Sequence, residues 1–318
     1  MRVYHSIRIN RKPQLCAELA KLGVSIEPRS GAESFVAEVD DSDPRWPEIY
    51  NLARACSAWI IDCVTYSNAD IESADWLLAH AVGDVGYPQP SGDNGYLRET
   101  FNLENHCPRC GIGRIQRGPY RLSSEPKAKT IHFFAPQWDH QTIFARHQVR
   151  CVFEDNKLSG LAFTPIVKHR SGSPLESIIQ LMPTAVLPAG LCVTGQKTVT
   201  CKPDNEEVLP IRNTPRDPRV SEETSQAIET VVGNWPRTFT PQTPYCGRVK
   251  YQIPYSRRVV QYRASVFIGA PDFVLSSELF GSGGHSDRQI VVSKKVANIV
   301  REQKWKGLRL EPIQLLSE

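Results

Sequence analysis

The chain has 318 residues, which is long enough to bury a substantial core and to form two domains or one large composite domain. Its 40% apolar and 23% charged residues are ordinary for a globular protein, and its formal net charge of +4 neither requires nor excludes a nucleic-acid partner. No apolar run approaches the roughly 20 residues needed to cross a bilayer. The N-terminal segment MRVYHSIRINRKPQ lacks the apolar stretch of a signal peptide. We therefore expect a cytoplasmic protein with no membrane association.

Nine cysteines are distributed along the chain, and an odd number in a chain of this length does not indicate a secreted disulfide framework. A reducing cytoplasm fits this usage best. Four of the cysteines fall within apolar or helical patterns and are predicted to be buried thiols: Cys16, Cys56, Cys63 and Cys151.

Residues 1–100 are predicted to be mostly helical. The segments PQLCAELAKLGVSI, PRWPEIYNLARACSAWIID and ADIESADWLLAHAV each place apolar residues at helical spacing, and in the third Leu77 and Leu78 share a face with Ile71 and Ala74. The run GYPQPSGDNGY at 86–96 is rich in turn residues and marks a boundary.

Residues 107–166 and 246–313 are predicted to be diverged copies of one unit. Each opens at a Cys-Gly pair, continues with an Ala-Pro-x-aromatic sequence (APQW at 135–138, APDF at 270–273), and closes with an amphipathic helix, a Gly and a short strand. The closing parts align without gaps, from Val149 on Val296 to Ile166 on Ile313. The second copy carries an insertion, SSELFGSGGHSD, before its helix.

The predicted fold class is α+β, with a helical N-terminal region followed by two diverged copies of a mixed α/β module. The helical region occupies 1–100, the first module 101–170, a connecting hairpin and loop 171–240, and the second module 241–318. Within the connection, LCVTGQKTVTC predicts a hairpin around Thr194-Gly195, residues 204–225 a polar surface loop, and SEETSQAIETVV a short helix.

The sharpest local motif is HCPRCG at 106–111, because the Gly of a Cys-x-x-Cys-Gly knuckle allows a tight turn that points both thiolates at one ion. The corresponding segment of the second copy is TPYCG at 243–247, in which Thr replaces the first thiolate. One structural zinc ion is therefore predicted, with three thiolate ligands: Cys107, Cys110 and Cys246. Candidates for a fourth ligand are His106, Cys192 and Cys201. The alternatives are a degenerate site with reduced thiols and, less favoured, a redox Cys-x-x-Cys pair.

Other polar clusters do not form a catalytic arrangement in the sequence. Asp139-His140 has the composition of an acid–base pair but is more commonly a surface feature. FGSGGHSDR at 280–288 holds Ser, His and Asp in one loop, whereas a triad needs them to converge from separate elements. There is no phosphate-binding Gly loop and no nucleophile elbow. Basic and aromatic residues alternate over 248–267, which fits nucleic-acid contact or, more commonly, the solvated face of a hairpin.

The Cys-x-x-Cys-Gly knuckle, the later Cys-Gly knuckle and the closing segment IVVSKKVANIVREQKWKGLRLEPI resemble the double-CXXCG-motif proteins, a family of immunity proteins in bacterial polymorphic toxin systems. The resemblance covers roughly residues 100–318. It implies a non-catalytic bacterial protein that binds and neutralises a cognate toxin, and it carries over no active-site residues. The missing first Cys of the second knuckle departs from the family pattern, and residues 1–100 have no counterpart.

The preferred prediction is thus an immunity protein, not an enzyme, whose partner is a protein toxin. A zinc-knuckle nucleic-acid-binding protein and an unrecognised enzyme are the alternatives. A toxin gene next to this one would favour the immunity protein. Salt-dependent retention on nucleic acid would favour the nucleic-acid-binding protein. If the chain binds a protein, the predicted recognition surfaces are the loop at 280–288 and the Tyr-Arg-rich stretch at 251–263.

Overall fold

The computed structural model describes the chain except residues 11, 30–33, 93–94, 128–129, 140, 193–197, 204–243, 253–259, 282 and 318 and the side chain of Asp62. The described residues divide into two compact units. The first comprises Met1–Ser73 and Val260, and the second comprises Ala74–Ile253 and Gln261–Glu318. With 38% strand and 21% helix, the described part is mostly β.

The first unit is a four-stranded antiparallel sheet with helices between its strands. The sheet has the order β2-β3-β1-β4, which is the split βαβ arrangement of ferredoxin-like folds. Ile7 and Ile9 of the central strand pack against Leu15, Leu19 and Ile49 of two helices. The elements follow in the order β1 (Arg2–Asn10), α1 (Pro13–Lys21), β2 (Ile26–Pro28), β3 (Ser34–Asp40), α2 (Trp46–Ala55), β4 (Trp59–Thr65) and α3 (Asn68–Ser73).

The predicted helical region at 1–100 is wrong, because the chain enters a strand at Arg2. The second predicted helix, over 44–62, ends at Ala55, and Ser57 with a φ of 51° leads into β4. The third, over 69–82, is α3 followed by the strand β5 (Trp76–Ala81). A short apolar run that is buried in a central strand cannot be distinguished from a buried helix by its periodicity.

The second unit contains two larger sheets and two strand pairs. The first sheet has the order β8-β11-β12-β10-β9 and consists of β8 (Arg121–Leu122), β9 (Phe133–Phe134), β10 (Ile143–Arg146), β11 (Leu161–Lys168) and β12 (Pro174–Pro183). The second has the order β13-β14-β16-β17-β5-β18 and adds to β5 the strands β13 (Thr198–Thr200), β14 (Val249–Tyr251), β16 (Phe273–Phe280), β17 (Asp287–Ser293) and β18 (Leu308–Pro312).

The remaining elements of this unit are short. The strand pairs are β6 (Phe101–Asn102) with β7 (Ile115–Gln116), and β15 (Gln261–Arg263) with β19 (Gln314–Leu316). The helices are α4 (Gly95–Thr100), α5 (His147–Asp155), α6 (Lys294–Glu302) and a 3₁₀ turn at Ala264–Phe267. In the described part of the chain, no helix is long and apolar enough to cross a membrane.

The two aligned closing segments share a local conformation. In each, a strand leads directly into a nine-residue helix, α5 or α6, and a second strand follows. Two residues beyond each helix lies a Lys with positive φ, Lys157 or Lys304, and the turn then contains a Gly with positive φ, Gly160 or Gly307. A Cβ at Gly160 would overlap with the carbonyl of Phe273, which explains why this turn requires glycine.

The strand that joins each of these segments into a sheet comes from a different place in the sequence. β12 follows β11 and lies between β10 and β11, whereas β5 precedes both segments and lies between β17 and β18. The strand registers also agree. Ala145 aligns with Val292, and each pairs with a residue of its central strand, Ala145 with Ile179 and Val292 with Leu77. β5, which lies in the segment predicted as a third helix, is therefore the strand between β17 and β18 that corresponds to β12 in the first sheet.

The two Ala-Pro-x-aromatic sequences do not occupy equivalent places. Phe133 pairs with Ala145 and Phe273 pairs with Val292, so Phe133 and Phe273 are the equivalent residues. The first Ala-Pro pair therefore follows its strand, and the second precedes it. The predicted fold class, a helical region followed by two α/β modules, is corrected to a mostly β chain. The closing segments share their strands and helix, but the Ala-Pro-x-aromatic sequences are not part of this likeness.

The predicted connection lies mainly outside the described residues. This applies to the turn at Thr194-Gly195, the loop at 204–225 and the helix at 221–232. The described end of the predicted hairpin, β13, pairs with the distant strand β14.

Candidate metal centre

Four cysteine side chains from three parts of the sequence meet at one place in the second unit. The Sγ atoms of Cys107, Cys110, Cys201 and Cys246 all lie within 4.8 Å of one another. The distance is 3.6 Å between Cys110 and Cys246 and 3.8 Å between Cys107 and Cys201. A tetrahedral ion with metal–sulfur bonds of about 2.3 Å holds its thiolates roughly 3.8 Å apart. The cluster therefore has the dimensions of a four-thiolate site.

The first two cysteines belong to a tight knuckle. The N–H of Cys107 donates to the carbonyl of Ile112 at 2.8 Å, and the N–H of Gly111 donates to the carbonyl of Cys107 at 2.7 Å. Gly111 has a φ of 78°, which brings the chain back so that the thiols of Cys107 and Cys110 point to the same side. This is the geometry that the HCPRCG motif predicts.

The other two cysteines repeat this hydrogen-bond pattern across a gap in sequence. The N–H of Cys201 donates to the carbonyl of Arg248 at 2.9 Å, and the N–H of Gly247 donates to the carbonyl of Cys201 at 3.1 Å. Cys201 therefore has the same position relative to Cys246 and Gly247 as Cys107 has relative to Cys110 and Gly111. The second knuckle is split, with residues 202–245 between its two cysteines where the first has only Pro and Arg.

The structure brings together the three predicted ligands, Cys107, Cys110 and Cys246, and supplies Cys201 as the fourth. The other candidates, His106 and Cys192, are not members of the cluster, and the thiol of Cys192 donates to the carbonyl of Gly190 instead. Local spacing could not select Cys201, because its position depends on the pairing of β13 with β14 across the insertion.

The thiols of the cluster differ in acidity. Burial raises the pKa of Cys110, although the N–H of Ile112 opposes this, and burial also raises the pKa of Cys201. Burial acts in the same direction on Cys246, but hydrogen bonds from Arg248 and from the neighbouring thiols outweigh it and lower its pKa to about 6. A thiolate at Cys246 at neutral pH favours the binding of a cation.

Apolar and aromatic groups shield the cluster from water. Ile112 and Val199 are buried against it, and the half-buried Leu279 packs beside them. Arg109, which lies between the cysteines of the first knuckle, stacks on the ring of Tyr245 in the second, with 4.2 Å from its Cζ atom to the ring centroid. Four thiolates leave no open coordination position, and closed four-cysteine sites are structural rather than catalytic.

The predicted recognition loop FGSGGHSDR joins β16 to β17 and packs on the first knuckle. Gly281 and Ser286 are buried, and a Cβ at Gly111 would overlap with the loop backbone. The ammonium of Lys250 donates to two carbonyls of the loop. The described part of this loop is therefore packed around the cluster.

The glycines of the two knuckles offer a matched test of this packing. Both are left-handed, with a φ of 78° at Gly111 and 70° at Gly247, but only at Gly111 does backbone occupy the place of a Cβ. We expect Gly247→Ala to lower the free energy of unfolding by about 1–2 kcal/mol through backbone strain. Gly111→Ala should cost about 1–3 kcal/mol more through overpacking. Urea denaturation measures both, and equal losses would contradict the contact.

A buried ion-pair network lies next to the first knuckle. Arg114, with its side chain 6% exposed, lies 3.2 Å from Asp139 and 2.5 Å from Asp287. Its guanidinium also lies 4.8 Å from the ring centroid of Phe101, and Tyr120 donates to the second oxygen of Asp139. Burial raises the pKa of Asp139, and the charge of Arg114 opposes that rise. The network connects the end of the knuckle to β17.

Other sequence predictions have mixed outcomes. Asp139 belongs to this network, and its predicted partner His140 lies outside the described residues. Residues 253–259 of the basic and aromatic segment also lie outside them. The four cysteines predicted to be buried are not, because three are half-buried and one is exposed: Cys16, Cys56, Cys63 and the exposed Cys151.

Comparisons of the chain with family models, curated proteins and solved structures gave no match. What the structure itself defines is a protein with a closed cluster of four cysteines that could hold a metal ion.

Proposed function

We propose that the cluster binds one structural zinc ion. The observation that carries this proposal is the convergence of two knuckles with matching hydrogen bonds on four thiols with the spacing of a tetrahedral site. Zinc accepts four thiolates in this geometry and has no redox chemistry that would require access to solvent.

The ion would connect three segments of chain that are far apart in sequence. Cys107 and Cys110 lie before the first sheet, Cys201 directly follows β13, and Cys246 precedes β14. Because the site forms only when these segments come together, the free energy of zinc binding adds to the free energy of folding.

The test is the metal content of protein purified without added metal. We expect about one zinc ion per chain, and we expect cobalt to replace it with the absorption bands of a tetrahedral four-thiolate complex. A folded protein that takes up neither ion, with four freely titratable thiols in the cluster, would contradict the proposal.

We further propose that the protein is an immunity protein that binds and neutralises a cognate toxin in the bacterial cytoplasm. The paired Cys-Gly knuckles are the feature that this chain shares with the double-CXXCG-motif proteins. The closed cluster offers no position at which a metal could activate a substrate, and this favours a role in binding over metal catalysis.

This second proposal is tested by co-expression with the product of a neighbouring gene that inhibits growth. We expect restored growth and a stoichiometric complex of the two proteins on size-exclusion chromatography. Retention on nucleic acid that falls steeply with salt, without any protection of growth, would favour the nucleic-acid-binding alternative instead.

A further inference from the structure

Lys250 is a fully buried lysine beside the cysteine cluster. It lies in β14, and its exposure is 0%. Its ammonium donates to the carbonyls of Cys110 at 2.9 Å, Gly283 at 2.6 Å and His285 at 2.8 Å. These three acceptors use all three of its protons.

Among the described residues, no carboxylate lies within ion-pair distance of the Lys250 ammonium. The charge of Asp287 acts on Lys250 from further away, and Asp287 is itself paired with Arg114. Carbonyl dipoles satisfy the hydrogen bonds of an ammonium but carry no net charge, and a buried charge without a counter-charge is strongly unfavourable. The groups that can place further negative charge beside Lys250 are the thiols of the cluster, because its ammonium contacts the backbone of Cys110.

We infer that Lys250, together with Arg248, supplies the counter-charge of the metal centre. This inference rests on the zinc site proposed above. A zinc ion with four thiolates has two units of net negative charge, and Lys250 and Arg248 have two units of positive charge. Arg248 follows the second knuckle in sequence, and its guanidinium donates to the carbonyl of Ile112 at 3.1 Å. The ammonium of Lys250 donates to the carbonyl of Cys110, so both cations lie beside the first knuckle.

The two cations differ in burial, and this gives Lys250 the larger role. Arg248 is half-buried, so solvent screens part of its charge, whereas Lys250 is enclosed. Because zinc binding requires all four thiols to be ionised, the bound metal centre has two units of net negative charge beside the enclosed ammonium. Lys250 therefore stabilises the metal-loaded protein relative to the metal-free one and raises the affinity for zinc.

The test compares Lys250→Met with Lys202→Met. Both remove one positive charge, but Lys202 is exposed and adjoins Cys201 in sequence, so it controls for net charge near the site. We expect Lys250→Met to lower the zinc affinity by about 10–100-fold in competition with a chromophoric chelator. It should lower the thermal stability of the metal-loaded protein by more than that of the metal-free protein. Lys202→Met should change neither quantity.

The alternative is that Lys250 only anchors the loop between β16 and β17. In that case Lys250→Met would lower the stability of metal-free and metal-loaded protein equally and leave the zinc affinity unchanged, and this result would overturn the inference. A wild-type protein that binds no zinc would refute the zinc site itself. If Lys250→Met does not fold, Arg248→Met is assessed by the same two measurements. We expect a smaller loss of zinc affinity in that variant, and an unchanged affinity would overturn the inference.

Discussion

Replacing Cys201 with serine is expected to abolish tight zinc binding, although Cys201 belongs to no Cys-x-x-Cys pair in the sequence. Its sulfur lies 3.8 Å from that of Cys107 and supplies the fourth thiolate of the proposed site. A neutral hydroxyl is a poor substitute for a thiolate, so the variant should lose the stabilisation that the ion gives. That loss is about 4 kcal/mol at free zinc a thousand times the Kd.

Metal analysis and thermal unfolding with and without a chelator measure this effect. The chelator should destabilise the wild type and leave Cys201→Ser nearly unchanged. Cys192→Ser is the matched control, because Cys192 is half-buried and lies outside the cluster. One tightly bound zinc ion per chain in Cys201→Ser would show that the split knuckle does not hold the metal.

Removing Arg114 is expected to have the second large effect. Its guanidinium contacts Asp139 and Asp287 in a buried network, so Arg114→Met leaves two carboxylates without their counter-charge. Breaking a buried pair in this way costs about 3–5 kcal/mol. Urea denaturation at neutral pH should show this loss in the free energy of unfolding.

Arg150→Met is the control for this prediction. Arg150 and Glu154 form an ion pair on the surface of α5, with side chains 40% and 48% exposed, so its loss should cost less than about 1 kcal/mol. Comparable losses in the two variants would contradict the importance of the buried network.

The effect of Arg114→Met is also expected to depend on pH. Burial already raises the pKa of Asp139, and removing the opposing charge of Arg114 should raise it further. A carboxyl whose pKa is higher in the folded than in the unfolded protein favours folding as the pH falls through its folded pKa, because the folded state then holds the extra proton. Part of the lost stability should therefore return in mildly acidic solution. A loss that is constant with pH would contradict this account.

Features that depend on neighbouring residues could be predicted from the sequence. The HCPRCG motif predicts a knuckle, and Cys107 and Cys110 form one, because a tight turn with a left-handed glycine requires only adjacent residues. The apolar spacing in the closing segments places the helices α5 and α6 correctly, and each is followed by its glycine turn and strand. The position of Cys246 near the first knuckle also follows from the second Cys-Gly pair.

Features that depend on residues far away in the sequence were apparent only from the folded chain. Residues 76–81 belong to a segment with apolar residues at helical spacing. They form a strand because they pair with β17 on one side and with β18 on the other. Cys201 carries no local signature and joins the cluster because β13 pairs with β14 beyond a long insertion. Strand pairing and the meeting of metal ligands both join segments that are far apart in the sequence. The local spacing of apolar residues or cysteines does not specify which distant segment will take part.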